Sequence, residues 1–190
     1  MQEFLATSEY IDADHDAVRT LAAKLAHGHE HEEQIIRASF EFVRDKIKHS
    51  LDYQLNPVTC RTSDVLREGT GFCFAKSHLL AALLRANRIP CALVYQRIAF
   101  GEEKDRHYWH GLNAVFLRSS GWYRLDPRGL KANFDSRFSP PIECLPFSPG
   151  HAGERFLEHR YAQPRPEIIQ LLETSSTFED VLERLLKIEL

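Results

Sequence analysis

A cysteine attacks an acyl carbon as its thiolate, and the unpaired N–H groups and dipole of a helix N-terminus stabilise that anion. Cys73 stands where the sequence opens a helix. Gly69-Thr70-Gly71 precedes it, and CFAKSHLLAALLRANR, dense in strong helix formers, follows until Asn87 and Pro90. The glycines let the backbone approach a substrate closely, and the Cys73 N–H is a donor for a developing oxyanion. Tyr53 and Gln54, in the segment before the nucleophile, are the candidates for a second donor. A cysteine nucleophile also calls for a base, and the base for a group that orients it. His110 and Asp126 lie an even number of residues apart across a predicted hairpin. With Arg118-Ser119-Ser120 as a three-residue loop, Leu117 pairs with Gly121 and Leu112 with Asp126. His110 is then diagonal to Asp126 on one face, so the carboxylate can fix the imidazole tautomer while the other nitrogen faces Cys73. Each residue taken alone also has a plain structural reading: a cysteine at a helix start, a half-buried strand histidine, an Asp-Pro strand terminator.

The other reactive residue types point away from chemistry. Cys91, in the apolar run IPCALVY, reads as a small buried hydrophobe, while Cys60 and Cys144, in turn-like and Pro-rich stretches, read as exposed bystander thiols. The four cysteines form no CxxC pair, and no disulfide framework is expected in a chain of this size. The run His27-Gly28-His29-Glu30-His31-Glu32-Glu33 alternates imidazoles and carboxylates as a metal site would, but reads as a solvated connector, since a flexible turn holds ligand geometry poorly. His107 and His110 fall on opposite faces of a strand. No metal and no cofactor is therefore expected. Lys76 and His78, in the first turns after Cys73, read as solvated or packing residues.

The elements that must position these residues follow from hydrophobic period. Val18, Leu21, Ala22 and Leu25 share one face of a helix over residues 14–27, with Asp12 or Asp14 as N-cap and Gly28 as the stop. Ile36, Phe40, Val43 and Ile47 do the same over 32–49, and residues 63–68 form a short helix ending at Gly69. After Pro90 the period changes to two. CALVYQRIAF, YWHGLNAVFL and WYRLD read as strands of an antiparallel sheet, with GEEKD as a turn. Four prolines between 139 and 149 predict an irregular loop, a candidate boundary or lid. Ser176 and Glu179 suggest a capping box that opens a C-terminal helix bearing Val181, Leu182 and Leu185. The fold class expected is α+β, with the nucleophile helix packed on the sheet.

Composition limits the function classes. A chain of 190 residues, 43% hydrophobic and 27% charged, is expected to be one domain over 1–190, its core at about 32–130 and a Pro-rich loop with C-terminal helices in 139–190. The net charge of −3, with no basic stripe, points to neither nucleic acid nor an anionic membrane as partner, and leaves a peptide or small amide as substrate. The opening MQEFLATSEYIDADHD has no basic n-region or apolar h-region, and no apolar run is long enough to span a bilayer. A cytoplasmic protein is expected.

The run TSDVLREGTGFCFAKSHLLAALLRANRIPCALVYQR resembles the core of transglutaminase-like proteins, where a Gly-x-Cys opens a helix ending in Leu-Leu-Arg-Ala-x-x-Ile-Pro before the first strand. HGLNAVFLRSSGWYRLDPRG resembles the matching His strand and Trp-x-x-x-Asp-Pro strand of the same family, so the resemblance covers roughly residues 63–129. It implies a papain-like arrangement of a central helix against an antiparallel sheet, and assigns nucleophile, base and orienter to Cys73, His110 and Asp126. It also implies a thiol enzyme acting on an amide or peptide bond through a thioester. Phe72 and Phe74 flank the nucleophile, and the large flanking β-domains of animal protein-crosslinking enzymes are missing, which favours hydrolysis of a smaller amide or peptide. Two alternatives accompany this reading: acyl transfer to an amine, of transglutaminase or N-acyltransferase type, and a binding module that keeps the cleft without turnover.

Overall fold

Helical period governs the first half of the chain and strand period the middle, as the computed structural model shows for the residues it describes, 1–129 and 135–190. After a 3-10 turn at Gln2–Leu5, α1 (Asp16–Ala26) buries Val18 and Ala22. Its N-cap is His15, whose Nδ1 accepts from the Ala17 N–H at 3.3 Å, rather than Asp12 or Asp14. Those carboxylates are engaged elsewhere: Asp12 accepts from the Ser63 N–H and Asp14 from the Thr7 hydroxyl.

The second helix, α2 (Glu32–Lys46), buries Ile36, Phe40 and Val43 and stops three residues short of the expected His49. The reason is a pairing invisible to local period. Lys48 and His49 form β1 (Lys48–His49), which runs parallel to β2 (Thr70–Gly71), and the Lys48 N–H donates to the Gly69 carbonyl at 2.9 Å. Between them lie α3 (Ser50–Tyr53) and α4 (Thr62–Glu68), the latter closed by Gly69 in the left-handed region at φ 66°. The backbone just before Cys73 is thereby tied to the end of α2.

The helix that Cys73 opens, α5 (Cys73–Ala86), is buried from Cys73 to Arg85, packed on α1, α2 and α4 and on the sheet. A helix covered on all sides need not be amphipathic, which explains its nearly continuous apolar sequence. Full burial of Leu79, Leu80, Leu83 and Leu84 contributes roughly 1.5–3 kcal/mol each before entropy is counted. At its end the buried Arg85 guanidinium donates to the carbonyls of Ala6, Cys91 and Ala162, tying the N-terminal segment and the segment before α6 to the start of β3.

The sheet has the order β5-β4-β3-β6, all antiparallel, from β3 (Cys91–Phe100), β4 (Arg106–Leu117), β5 (Gly121–Leu125) and β6 (Arg155–Phe156). Leu117 pairs with Gly121, the register the three-residue loop requires. The class is α+β. Residues 139–149 carry no helix or named strand, and the chain ends in α6 (Pro166–Thr174) and α7 (Phe178–Leu185). The capping box of α7 lies one residue later than the sequence suggests: Thr177 and Asp180 make it, because the Asp180 carboxylate also accepts from the Ser176 N–H. The core limit placed at residue 130 lies outside the described residues.

One burial expectation is corrected. Cys60 is buried, not an exposed bystander, since its segment lies beneath α5, where the His78 ring bonds the Cys60 carbonyl. Of the two roles expected for Lys76 and His78, solvated or packing, both take the second and are fully enclosed. Lys76 reaches the carbonyls of Arg44 and Ile47 and caps the C-terminal end of α2. The histidine-rich run at 27–33 is largely exposed, as a connector, and the His31 N–H is capped by Gln34.

Candidate active site

Cys73 is the first residue of α5, so its own N–H has no acceptor within the helix. The N-terminal turn of α5 lies hard against β4 because Gly111 has no side chain. A Cβ there would sit 2.6 Å from Phe74 Cδ1 and 3.1 Å from Phe74 Cα. Gly111 is adjacent to His110 on β4, and this close approach brings Cys73 and His110 into one cavity of about 270 Å³.

His110 Nε2 and Asp126 Oδ2 are 2.6 Å apart. This leaves Nδ1 as the ring nitrogen open to Cys73, whose side chain lies close enough to the imidazole to raise its pKa. Both His110 and Asp126 are 1% exposed and Cys73 is 5% exposed. Burial by itself disfavours the imidazolium, but the charges of Asp126 and Cys73 and their hydrogen bonds outweigh it and raise the His110 pKa to about 10. The site therefore favours the imidazolium form of His110.

Asp126 is held in turn. Its Oδ1 accepts from the Arg128 N–H at 2.9 Å across Pro127, an Asx turn, and its carbonyl accepts from the Ser136 hydroxyl. The Arg128 side chain grips Asp52 of α3 through two hydrogen bonds of 2.8 and 3.1 Å, with His49 Nδ1 3.8 Å from the same carboxylate. Such a forked pair fixes geometry as well as charge. Phe147, from the Pro-rich loop, meets the His110 ring edge-on at 5.1 Å, and its carbonyl accepts from Gln96, the cross-strand partner of His110. Lys76 lies close enough to Asp126 to feel its charge, yet burial dominates and lowers the lysine to about 7. Tyr108, two residues before His110, lines the cavity and is pushed up to about 12, by burial first and then by the charge of Cys73.

Tyr53 and Gln54 are not among the residues that line the Cys73 cavity. Tyr53 is exposed beside a neighbouring polar cavity of about 390 Å³, and the Gln54 N–H closes α3 onto the Ser50 carbonyl. The neighbours of Cys73, His110 and Asp126 not singled out from sequence are Asp52, His49, Arg128, Phe147 and, as cavity lining, the leucines of α7. Only Arg128 carried a local signal, as the second residue after Asp126 in an Asp-Pro turn. His107 lies on the opposite face of β4 from His110, as its odd spacing requires, and its ring meets the Ala152 carbonyl at 2.9 Å.

No helix among the described residues is long and apolar enough to cross a membrane. Residues 19–127 match the model of the transglutaminase-like superfamily. Among solved structures, a candidate cysteine protease from Cytophaga hutchinsonii is similar at 23% identity and a TM-score of 0.51, covering 66% of this chain and 40% of that one. The periplasmic domain of TgpA from Pseudomonas aeruginosa is similar at 19% identity and a TM-score of 0.50, covering 65% and 45%. The aligned part is thus less than half of either solved chain. No curated protein matches the sequence. These two likenesses speak for the fold; the family match spans more than half of the chain and takes in Cys73, His110 and Asp126, so the chain belongs to the transglutaminase-like superfamily.

Proposed function

We propose that this chain is a thiol hydrolase that cleaves an amide or peptide bond through Cys73, His110 and Asp126. The observation that carries the reading is the buried 2.6 Å contact between His110 and Asp126 beside a cysteine at a helix N-terminus. The Cys73 thiolate attacks the carbonyl carbon, and the C=O electrons move to oxygen, where the Cys73 N–H donates to the oxyanion. As the oxyanion collapses, the C–N bond breaks and the His110 imidazolium gives its proton to the departing amine, leaving a thioester. Water then attacks the thioester and loses a proton to His110. The C–S bond breaks, the carboxylic acid leaves and the thiolate–imidazolium pair is restored. Asp126 keeps the Nε2–H directed away from the reaction, so that Nδ1 performs both transfers. Four cysteines without a disulfide favour a reducing compartment, the cytoplasm.

Turnover of a small amide by the intact chain, with an acyl adduct on Cys73 found by mass spectrometry after acid quench, tests the reading. Cys73→Ala should remove both. Release of the free acid in water supports hydrolysis, whereas preferential formation of an acylated amine when an amine is added would make the enzyme a transferase. Turnover retained in Cys73→Ala would overturn the mechanism.

A further inference from the structure

The C-terminal helix carries more apolar surface than the core uses. Val181 and Leu185, four residues apart, are buried, as a core-facing stripe requires. Leu182 and Leu186, also four apart, form a second stripe that is 39% and 44% exposed. This second stripe does not face open solvent alone. Leu182, Leu185 and Leu186 line the same cavity as Cys73 and His110, opposite Leu51, Phe72 and Phe100. The helix is anchored rather than loose: the Phe178 N–H donates to Asn56 Oδ1 at 2.9 Å, and Arg184 binds the Thr174 carbonyl and hydroxyl.

We infer that α7 forms the wall of an acyl subsite, and that the substrate is an amide or peptide whose acyl residue bears one bulky apolar side chain of leucine or phenylalanine type. This rests on the reading of Cys73 as nucleophile. Two observations select the occupant. The cavity, about 270 Å³, is small against ordinary ligand clefts of roughly 300–1,000 Å³, so it suits one side chain rather than a length of peptide. Its wall on the α7 side is leucine only, so a glutamine or aspartate side chain there would give up hydrogen bonds to water without recovering them. Its polar lining away from α7 comes from His49, Tyr108 and Arg128 beside Cys73 and His110. The neighbouring cavity is lined by Arg44, Asp45, Lys48 and Asp52, and joins the first at His49 and Arg128.

The subsite is read by the second-order rates at which acetyl-aminoacyl fluoromethyl ketones label Cys73, with Gly, Leu, Phe, Gln and Asp as the acyl residue and iodoacetamide as a reference that needs no subsite. The leucyl and phenylalanyl probes should label at least about 10-fold faster than the glutaminyl and glycyl ones, the discrimination an apolar pocket supplies. Leu182→Asp and Leu186→Asp, at positions exposed enough to accept the change, should each cut the leucyl-to-glutaminyl rate ratio about 10-fold. Glu183→Gln, outside the cavity lining, should leave the ratio as it is. If iodoacetamide labels Cys73 rapidly but the ketones show no order, or an order favouring glutamine, the subsite is wrong and the nucleophile stands. The subsite is equally overturned if both leucine variants keep the wild-type ratio. If iodoacetamide fails to favour Cys73 over the other thiols, the nucleophile falls and the subsite with it.

Discussion

His110 Nε2 and Asp126 Oδ2 approach to 2.6 Å in a place closed to water, so the charge of one is answered by the other rather than by solvent. Burial would by itself lower the histidine, and its rise to about 10 therefore depends on its two neighbours, Asp126 and Cys73.

That dependence sets a pH profile. A histidine raised in the folded state keeps its stabilising pair fully below about 6.5 and loses it as pH climbs through about 10. In Asp126→Asn the attraction is gone and burial remains, so the imidazolium should be lost at a lower pH. Turnover, or Cys73 alkylation by iodoacetamide, should fall roughly 10²–10⁴-fold at neutral pH in Asp126→Asn, with the alkaline limb moved toward neutrality. His27→Ala, in the exposed connector, should match wild type in both. An Asp126→Asn profile that overlays the wild type would refute the assigned role.

Thiol selectivity follows from burial. Cys60 and Cys91 are pushed up to about 12, chiefly by burial, and lie in the core. Under native conditions iodoacetamide should modify Cys73 first and leave Cys60 and Cys91 intact, with only the half-buried Cys144 as a competitor. Peptide mapping at short times checks the order, and early modification of Cys60 would contradict the burial.

Gly111 is predicted to matter for distance rather than for chemistry. In Gly111→Ala the new methyl meets the backbone of α5 at Phe74, not just a movable ring, so strand and helix must part by some tenths of an ångström. The cost in stability should be about 1–3 kcal/mol by urea unfolding. Alkylation of Cys73 should slow at least about 10-fold, because a small misplacement of reacting groups is expensive. Wild-type reactivity in a folded Gly111→Ala would show that the approach at Gly111 does not set the Cys73–His110 geometry.

Acid stability should report on His78. Its Nδ1 donates to the Cys60 carbonyl at 2.9 Å, its Nε2 finds no partner among the described residues, and burial lowers it to about 4. The unfolded chain binds this proton from about pH 6.5 downward while the folded chain does not until about 4. Stability is therefore lost as pH falls through that window, by about 3 kcal/mol at most from this group. Urea melts of wild type and His78→Gln at pH 7 and pH 4.5 should show a smaller loss in the variant. Equal losses would mean that other groups carry the acid response.

Much of the site's frame was legible before any coordinates. The even spacing of His110 and Asp126, the loop Arg118-Ser119-Ser120 and the Gly-flanked start at Cys73 are local properties, set by strand alternation, turn length and helix entry. The end of α2 was misjudged because its helical period runs on to Ile47, while a backbone pairing with Thr70 and Gly71, far along the chain, takes Lys48 and His49 instead.

What surrounds the site was decided only by tertiary structure. Lys76 looks like a surface residue by type, and is buried because two carbonyls at the end of α2 receive its ammonium group. Asp52 and Arg128 form a pair across 76 residues, and α7 meets Cys73 across more than a hundred, so no spacing within either segment encodes the contact. Period and turn chemistry specify which face a side chain takes on its own element. Which other element closes over that face depends on how the whole chain fills its volume, and for Cys73 that element is a leucine-bearing helix at the far end of the sequence.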